Sequence, residues 1–326
     1  LLFSNSKIGL QRYKKNTYHA IYYQSSFYIP KIIRNFANKK LFSKVEIFKT
    51  KAALQAHLQK ARSAGKKIAL IPTMGALHEG HLSLLDYARP ISDIRVCSIF
   101  VNPTQFNDPK DLEKYPRPIE NDISLLESVD CDILFMPSVE EMYPDKNENW
   151  HIDLGELDQI WEGEKRPGHF QGVTQVVYKL FTLVQPDIAC FGQKDFQQVM
   201  VIQRMIEIKA LPIQLAICPI IREQHGLALS SRNMRLSDEG KTKALALSRA
   251  LQYVKDHIAD NSGLQEIKEK ALAILTDTAG VTVEYFAICE SSSLKEVEQI
   301  DTSKQHVALV TAWVEGVRLI DNMILT

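Results

Sequence analysis

Two histidines three residues apart, His78 and His81, stand in the run MGALHEGH, residues 74–81. At a loop-to-helix junction that spacing lets both rings face the same way. Gly75 and Gly80 let the backbone approach a ligand with no Cβ between them. A helix starting there offers free N–H groups and a positive dipole end, which suits phosphate. The run is one residue short of the HExxH zinc pattern, which argues against zinc. A surface turn with two solvated histidines is the plain alternative, and a buried strand just before the run favours nucleotide binding.

Three other segments carry chemistry. In FGQKDFQQVM (191–200), Lys194 is a point charge suited to ATP phosphates. Asp195 suits a ribose hydroxyl or a share in a metal, and Gln198 lies one turn on, on a similar face. A solvated helix cap is the alternative there, since Asp is a good N-cap. In IIREQHGLALSSRNM (220–234), Ser230 and Ser231 offer hydroxyls and Arg232 a fork of donors for phosphate, with a polar interdomain loop as the alternative. In FVNPTQF (100–106), the amides of Asn102 and Gln105 suit a small ligand bearing hydroxyl and carboxylate groups, and Phe106 suits an apolar wall. Asn-Pro is also a common turn opener, and Tyr115-Pro116-Arg117 has the same standing.

These segments need a frame. Residues 50–64 read as an amphipathic helix stopped by Gly65. Short apolar runs at 68–71, 94–101, 132–136, 187–191 and 213–217 predict strands, and 118–129, 170–184 and 195–209 predict helices. Continuous rather than alternating apolar runs suit a parallel sheet buried on both faces. Strand–helix alternation then implies an α/β, doubly wound, Rossmann-like sheet, with ligands at the carboxyl ends of its strands. The runs after Ile71, Val101 and Phe191 lie there. From about Ile220 the texture changes to helices at 238–256 and 264–277 and strands at 281–289, 306–314 and 317–320, the last two joined by a Glu315-Gly316 hairpin turn. This predicts a smaller α+β C-terminal domain, 220–326, after a catalytic domain, 45–219.

The composition, 45% apolar and 24% charged, is that of an ordinary soluble protein. No apolar run approaches the roughly 20 residues of a membrane span. The five cysteines form no CxxC pair and read as buried, reduced thiols, with a cytoplasmic location. Residues 1–44 hold nine basic groups and no Asp or Glu, which leaves 30 basic against 39 acidic residues in 45–326. An acidic body without a basic stripe argues against nucleic-acid binding. The basic stretch lacks the parts of a secretory signal. A transit peptide is one reading. Upstream leader sequence before a true start at Val45, disordered or non-native to the enzyme, is the preferred one.

In this order, the four segments closely resemble those of the pantothenate synthetase (pantoate–β-alanine ligase) family, of the HxGH nucleotidyltransferase and class I aminoacyl-tRNA synthetase-like superfamily. The resemblance spans 45–326 and includes RPGHFQGVTQVVYKLF (166–181) and RLIDNMIL (318–325). It implies condensation of pantoate with β-alanine through a pantoyl adenylate, with ATP and Mg2+, in a homodimer. ATP would be held by Met74, Gly75, Ala76, Leu77, His78, Glu79, Gly80 and His81, by Gly192, Gln193, Lys194 and Asp195, and by Ile221, Leu229, Ser230, Ser231 and Arg232. His78, His81, Lys194 and Arg232 would be catalytic, with His81 as proton donor. Gln105 and Gln198 would contact pantoate, and Gln105 also β-alanine. The resemblance assigns no magnesium ligand. Three positions depart from the family's usual form: Gln193 for Glu, Leu229 for Met and Thr104 for Met. Rival readings are a nucleotidyltransferase of the same superfamily and a nucleotide-binding protein without catalysis.

Overall fold

The computed structural model describes residues 21–22, 44–107, 109–145, 148–259 and 263–326. Along the chain these form β1 (Ile21–Tyr22), β2 (Glu46–Phe48), α1 (Lys51–Ser63), β3 (Ile68–Thr73), α2 (Glu79–Ala88), β4 (Ile94–Ile99), α3 (Pro109–Lys114), α4 (Ile119–Ser128), β5 (Ile133–Phe135), α5 (Val139–Met142), α6 (Glu162–Lys165), α7 (His169–Val184), β6 (Ile188–Gly192), α8 (Phe196–Ile208), β7 (Gln214–Cys218), α9 (Asp238–His257), α10 (Leu264–Thr276), β8 (Val281–Glu290), β9 (His306–Val314) and β10 (Val317–Ile324). Apart from β1 and Lys44, the expectations for residues 1–44 lie outside the described residues.

Strands β1 to β7 form one sheet in the order β1-β7-β6-β3-β4-β5-β2, and every pairing is parallel. Ile68, Ala69, Leu70 and Ile71 of β3 are fully buried, as a central strand covered on both faces requires. Helix α1 shows the usual logic of such a cover. Thr50 caps it through Oγ1, and Leu54 and Leu58, four apart, bury completely. Each of those leucines contributes about 2 kcal/mol by leaving water. From β3 the chain steps through β4 to β5 on one side, and from β6 to β7 on the other. The order therefore reverses between β3 and β6, and their carboxyl ends open a crevice at that switch point.

The second sheet, β10-β9-β8, is antiparallel. Glu315 and Gly316 both take positive φ, 50° and 71°, the two-residue turn whose twist matches its strands. Helices α9 and α10 cover this sheet with Leu247, Leu251 and Leu275 against Val310 and Val314. Its other face is not free. Ala287, Cys289, Val307 and Leu309 belong to the same buried cluster as the core of the parallel sheet. All five cysteines are buried and unpaired. Among the described residues, no helix is long and apolar enough to cross a membrane.

Candidate active site

The 74–81 run leaves the end of β3 and enters α2. Gly75 (φ 82°) and Ala76 (φ 51°) both adopt the left-handed conformation. That conformation is costly for Ala, and a buried carboxylate from α4 holds it. Asp122 accepts from Ala76 N at 2.9 Å and from Leu77 N at 2.8 Å, and is fully buried. The amides of Ala76 and Leu77 are thus committed to Asp122. From this run a ligand meets mainly the two histidines and the backbone near the α2 start.

His78 is the N-cap of α2. Its Nδ1 accepts from Gly80 N at 3.1 Å, and the Nδ1 of His81 accepts from His78 N at 3.3 Å. A Cβ on residue 80 would lie 2.8 Å from the His78 ring, so this fold-back needs glycine. The rings lie tilted at 39° with centroids 4.2 Å apart. With both Nδ1 atoms accepting, each neutral ring carries its proton on Nε2. Burial lowers the His78 pKa, and the Lys194 charge adds to it. Burial and the His78 neighbour depress His81 further, to about 3. Before any ligand binds, the pair therefore offers neutral N–H donors rather than positive charge.

Lys194 and Asp195 follow β6 in a short 3-10 turn, Gln193–Asp195, leading into α8. Strand β10 fixes that turn. Asn322 Nδ2 donates to Gln193 O at 3.0 Å and Lys194 O at 2.9 Å, and Gln193 Nε2 donates back to Asn322 Oδ1 at 3.0 Å. The Gln193 side chain is thus turned onto β10. Next to Asn322, the buried Asp321 grips Arg222 with two bonds of 2.6 and 2.9 Å. Arg222 begins the arm that carries the fourth motif, in which Leu229 N donates to Ile221 O at 2.9 Å. Ser230 Oγ then caps Arg232 N at 3.2 Å. One cleft is lined by Lys194, Ser230, Arg232 and Arg318. Leu229 lies beside Gly80, which brings the arm over the start of α2.

Gln105 ends a 3-10 turn, Pro103–Gln105, beyond β4. Helix α7 clamps that turn. Gly172 lies so close that a Cβ there would sit 2.3 Å from Thr104 O. Gly172 O accepts from Asn102 Nδ2 at 3.1 Å, and His169 Nδ1 meets Gln105 O at 2.9 Å. Arg166 Nη1 lies 3.1 Å from His169 Nε2. A guanidinium only donates, so His169 is the Nδ1–H tautomer. Burial first, then the Arg166 charge, lowers its pKa to about 4. Gln105 Nε2 reaches Met74 Sδ at 3.2 Å, joining the second motif to the first. Gln198 is half-buried early in α8, while its neighbour Gln197 is buried and bonds Glu162 N, Leu157 O and Ile160 O.

All four sequence motifs therefore converge around the crevice between β3 and β6. Sequence reasoning passed over Asp122, Arg166, His169, Gly172, Tyr143, Asp321 and Asn322. Five of these lie in the stretches 166–181 and 318–325, noted for likeness but given no task. An Arg-x-x-His pair and a buried Asp-Asn in an apolar strand were the signals available.

A doubly wound sheet with a paired-histidine turn at its switch point, beside a Lys turn and a Ser-Ser-Arg arm, defines an α/β protein of the nucleotide-binding class. Within that class, the family model for pantoate-beta-alanine ligase matches residues 46–324, and the chain belongs to that family. It is 45% identical over 279 residues to the pantothenate synthetase of Porphyromonas gingivalis, covering 86% of this chain and 99% of that one. The pantothenate synthetase structure from Thermus thermophilus superposes with a TM-score of 0.80 at 38% identity, covering 86% of this chain and 99% of that one. The Francisella tularensis pantoate-beta-alanine ligase, solved with beta-gamma ATP and beta-alanine, gives 0.69 at 33% identity, covering 86% and 97%.

Proposed function

We propose that this site condenses pantoate with β-alanine in two steps, with the roles set by the geometry above. The pantoate carboxylate attacks the α-phosphorus of ATP and pyrophosphate leaves. The β-alanine amine then attacks the carbonyl of the pantoyl adenylate, AMP leaves, and the amide of pantothenate forms.

Negative charge grows on the phosphate oxygens in the first step, and donors already in place stabilise it without reorganising. His78 and His81 supply Nε2–H donors, while Lys194 and Arg232, which line one cleft, supply charge. In the proton-donor position, neutral His81 holds its Nε2–H towards the departing pyrophosphate, while its Nδ1 stays bonded to His78 N. Leu229, Ser230, Ser231 and Ile221 form the arm over the phosphates, with Gly192, Gln193 and Asp195 below. Gln105 and Gln198 receive pantoate, and Gln105 also faces β-alanine.

Among the described residues, no cluster of three His, Cys, Asp or Glu side chains forms a metal cage. Mg2+ carried in on the triphosphate asks a protein for only one or two carboxylates. Asp195, exposed beside Lys194, is the side chain that would hold it, and the ion supplies charge neutralisation when bound. The adenylate is prone to hydrolysis, so water must be excluded. The unit 220–326 does this as a lid on 45–219, in a cytoplasmic homodimer.

The observation that carries this reading is the pair of Nε2–H histidines at the start of α2, with the Lys194 charge near both rings and Leu229 of the Ser-Ser-Arg arm beside Gly80. His81→Ala should lower pantoate-dependent exchange of labelled pyrophosphate into ATP by about 100-fold or more, the size seen when one transition-state donor is lost. Its melting temperature should stay near wild type. Exchange at the wild-type rate would remove His81 from the mechanism.

A further inference from the structure

Asn102 is 1% exposed, and its carboxamide has no freedom left. Gly172 O, a group that only accepts, faces its Nδ2 at 3.1 Å, so the amide can be turned only one way. The second Nδ2 proton goes to Gln105 Oε1 at 3.1 Å. On the other side, Oδ1 accepts from Tyr143 Oη at 2.7 Å and from Thr104 Oγ1 at 3.2 Å. Two donor and two acceptor positions are all filled around a carboxamide buried from water, with Thr104 itself at the surface. Burial pushes the Tyr143 pKa up to about 12, so its hydroxyl stays a donor throughout the working pH range.

The consequence falls on Gln105. Its Oε1 is committed to Asn102, which turns its NH2 the other way, onto the thioether of Met74. A thioether is a weak acceptor. An amide N–H held against one exchanges it readily for a hydroxyl or carboxylate oxygen.

The geometry points to Tyr143 and Thr104 as positioning residues that act through Asn102, fixing the rotation of the Gln105 amide so that it presents N–H rather than C=O to the oxygen-rich substrate. The inference rests on the assignment of pantoate to Gln105. Thr104 stands where the resembling family has Met, so in this chain a second hydroxyl backs up the tyrosine. Either hydroxyl alone satisfies Asn102 Oδ1. Without both, a buried acceptor is stranded, and the carboxamide moves towards solvent and releases Gln105 to rotate.

A double-mutant cycle tests this. We expect Tyr143→Phe and Thr104→Val each to raise the KM for pantoate about 2- to 3-fold, the effect of one modest hydrogen bond. The double variant should raise it about 30-fold, well beyond the product of the singles, with the KM for ATP within about 2-fold of wild type. Thr104→Ser in the Tyr143→Phe background should restore the value of Tyr143→Phe alone. If the double variant does not fold, Tyr143→Phe with Thr104→Met settles the same question, because Met fills the position without a hydroxyl. A double variant no worse than the product of the singles overturns the inference, as does a KM for ATP that rises in step. Gln105→Ala separates the two layers. If it raises the pantoate KM while the double variant is silent, the positioning role alone fails. If it is itself silent, the assignment of pantoate to Gln105 fails, and the inference with it.

Discussion

Replacing Asp122 by Asn should loosen the histidine turn from behind. The carboxylate is fully buried and accepts two backbone N–H bonds, at 2.9 and 2.8 Å. Asparagine keeps one acceptor but sets an NH2 against the other backbone N–H. One bond to a charged group is lost, about 1.5–3 kcal/mol, and a buried donor is left unpaired. The turn also loses the contact that holds Ala76 in its left-handed conformation. We expect a loss of about 2–3 kcal/mol, which for a chain of this size is a fall in Tm of roughly 3–5 °C. His78 and His81 ride on the same turn, so the KM for ATP should rise about 10-fold, while the KM for pantoate, held by the separate α7 clamp, changes little. Calorimetry and steady-state kinetics with each substrate varied in turn measure both effects. An unchanged Tm together with an unchanged KM for ATP would refute the view that Asp122 holds the turn.

Two other perturbations test different parts of the molecule. Arg318 on β10 bonds both Glu162 and Glu284, with side-chain exposures of 17%, 14% and 17%. Glu162 is anchored by Trp161, whose backbone is strained (φ 49°) and whose indole donates to Leu294 O at 2.9 Å. Arg318→Met leaves two half-buried carboxylates facing each other. It should cost about 2–3 kcal/mol, less than a fully buried pair, and raise AMP release in the absence of β-alanine as water reaches the adenylate; a chemical melt and an AMP assay test the two parts. In the folded protein, His81 and His169 have pKa values near 3 and 4, below the unfolded value of about 6.5. Between those limits the unfolded chain binds more protons, so stability should fall as pH drops from about 6.5 towards 4. A His169→Gln variant should show a shallower slope of urea midpoint against pH, and an unchanged slope would contradict the burial argument.

The parallel sheet was legible because its strands are short, continuous apolar runs, and β3, β4, β6 and β7 stand within about two residues of their expected limits. Strand β2 was not, because three edge residues, two of them exposed, make no apolar run. Strand β10 was read to Ile320 but continues to Ile324. Asp321 and Asn322 broke its apolar pattern, yet they are buried because each anchors a loop of the site. Site residues that would touch phosphate stood out by type and spacing. Those that hold them, such as Asp122 and Gly172, did not, because their partners lie 45 or more residues away in sequence. The charge state of the two histidines was not legible in their spacing; the accepting Nδ1 atoms and the burial show them neutral.

The most direct test is AMP formation by the purified chain with ATP, magnesium and pantoate, with and without β-alanine. The account predicts sustained AMP release only when β-alanine is present, with pantothenate formed in equal amount. Nucleotide binding without AMP under either condition would contradict it.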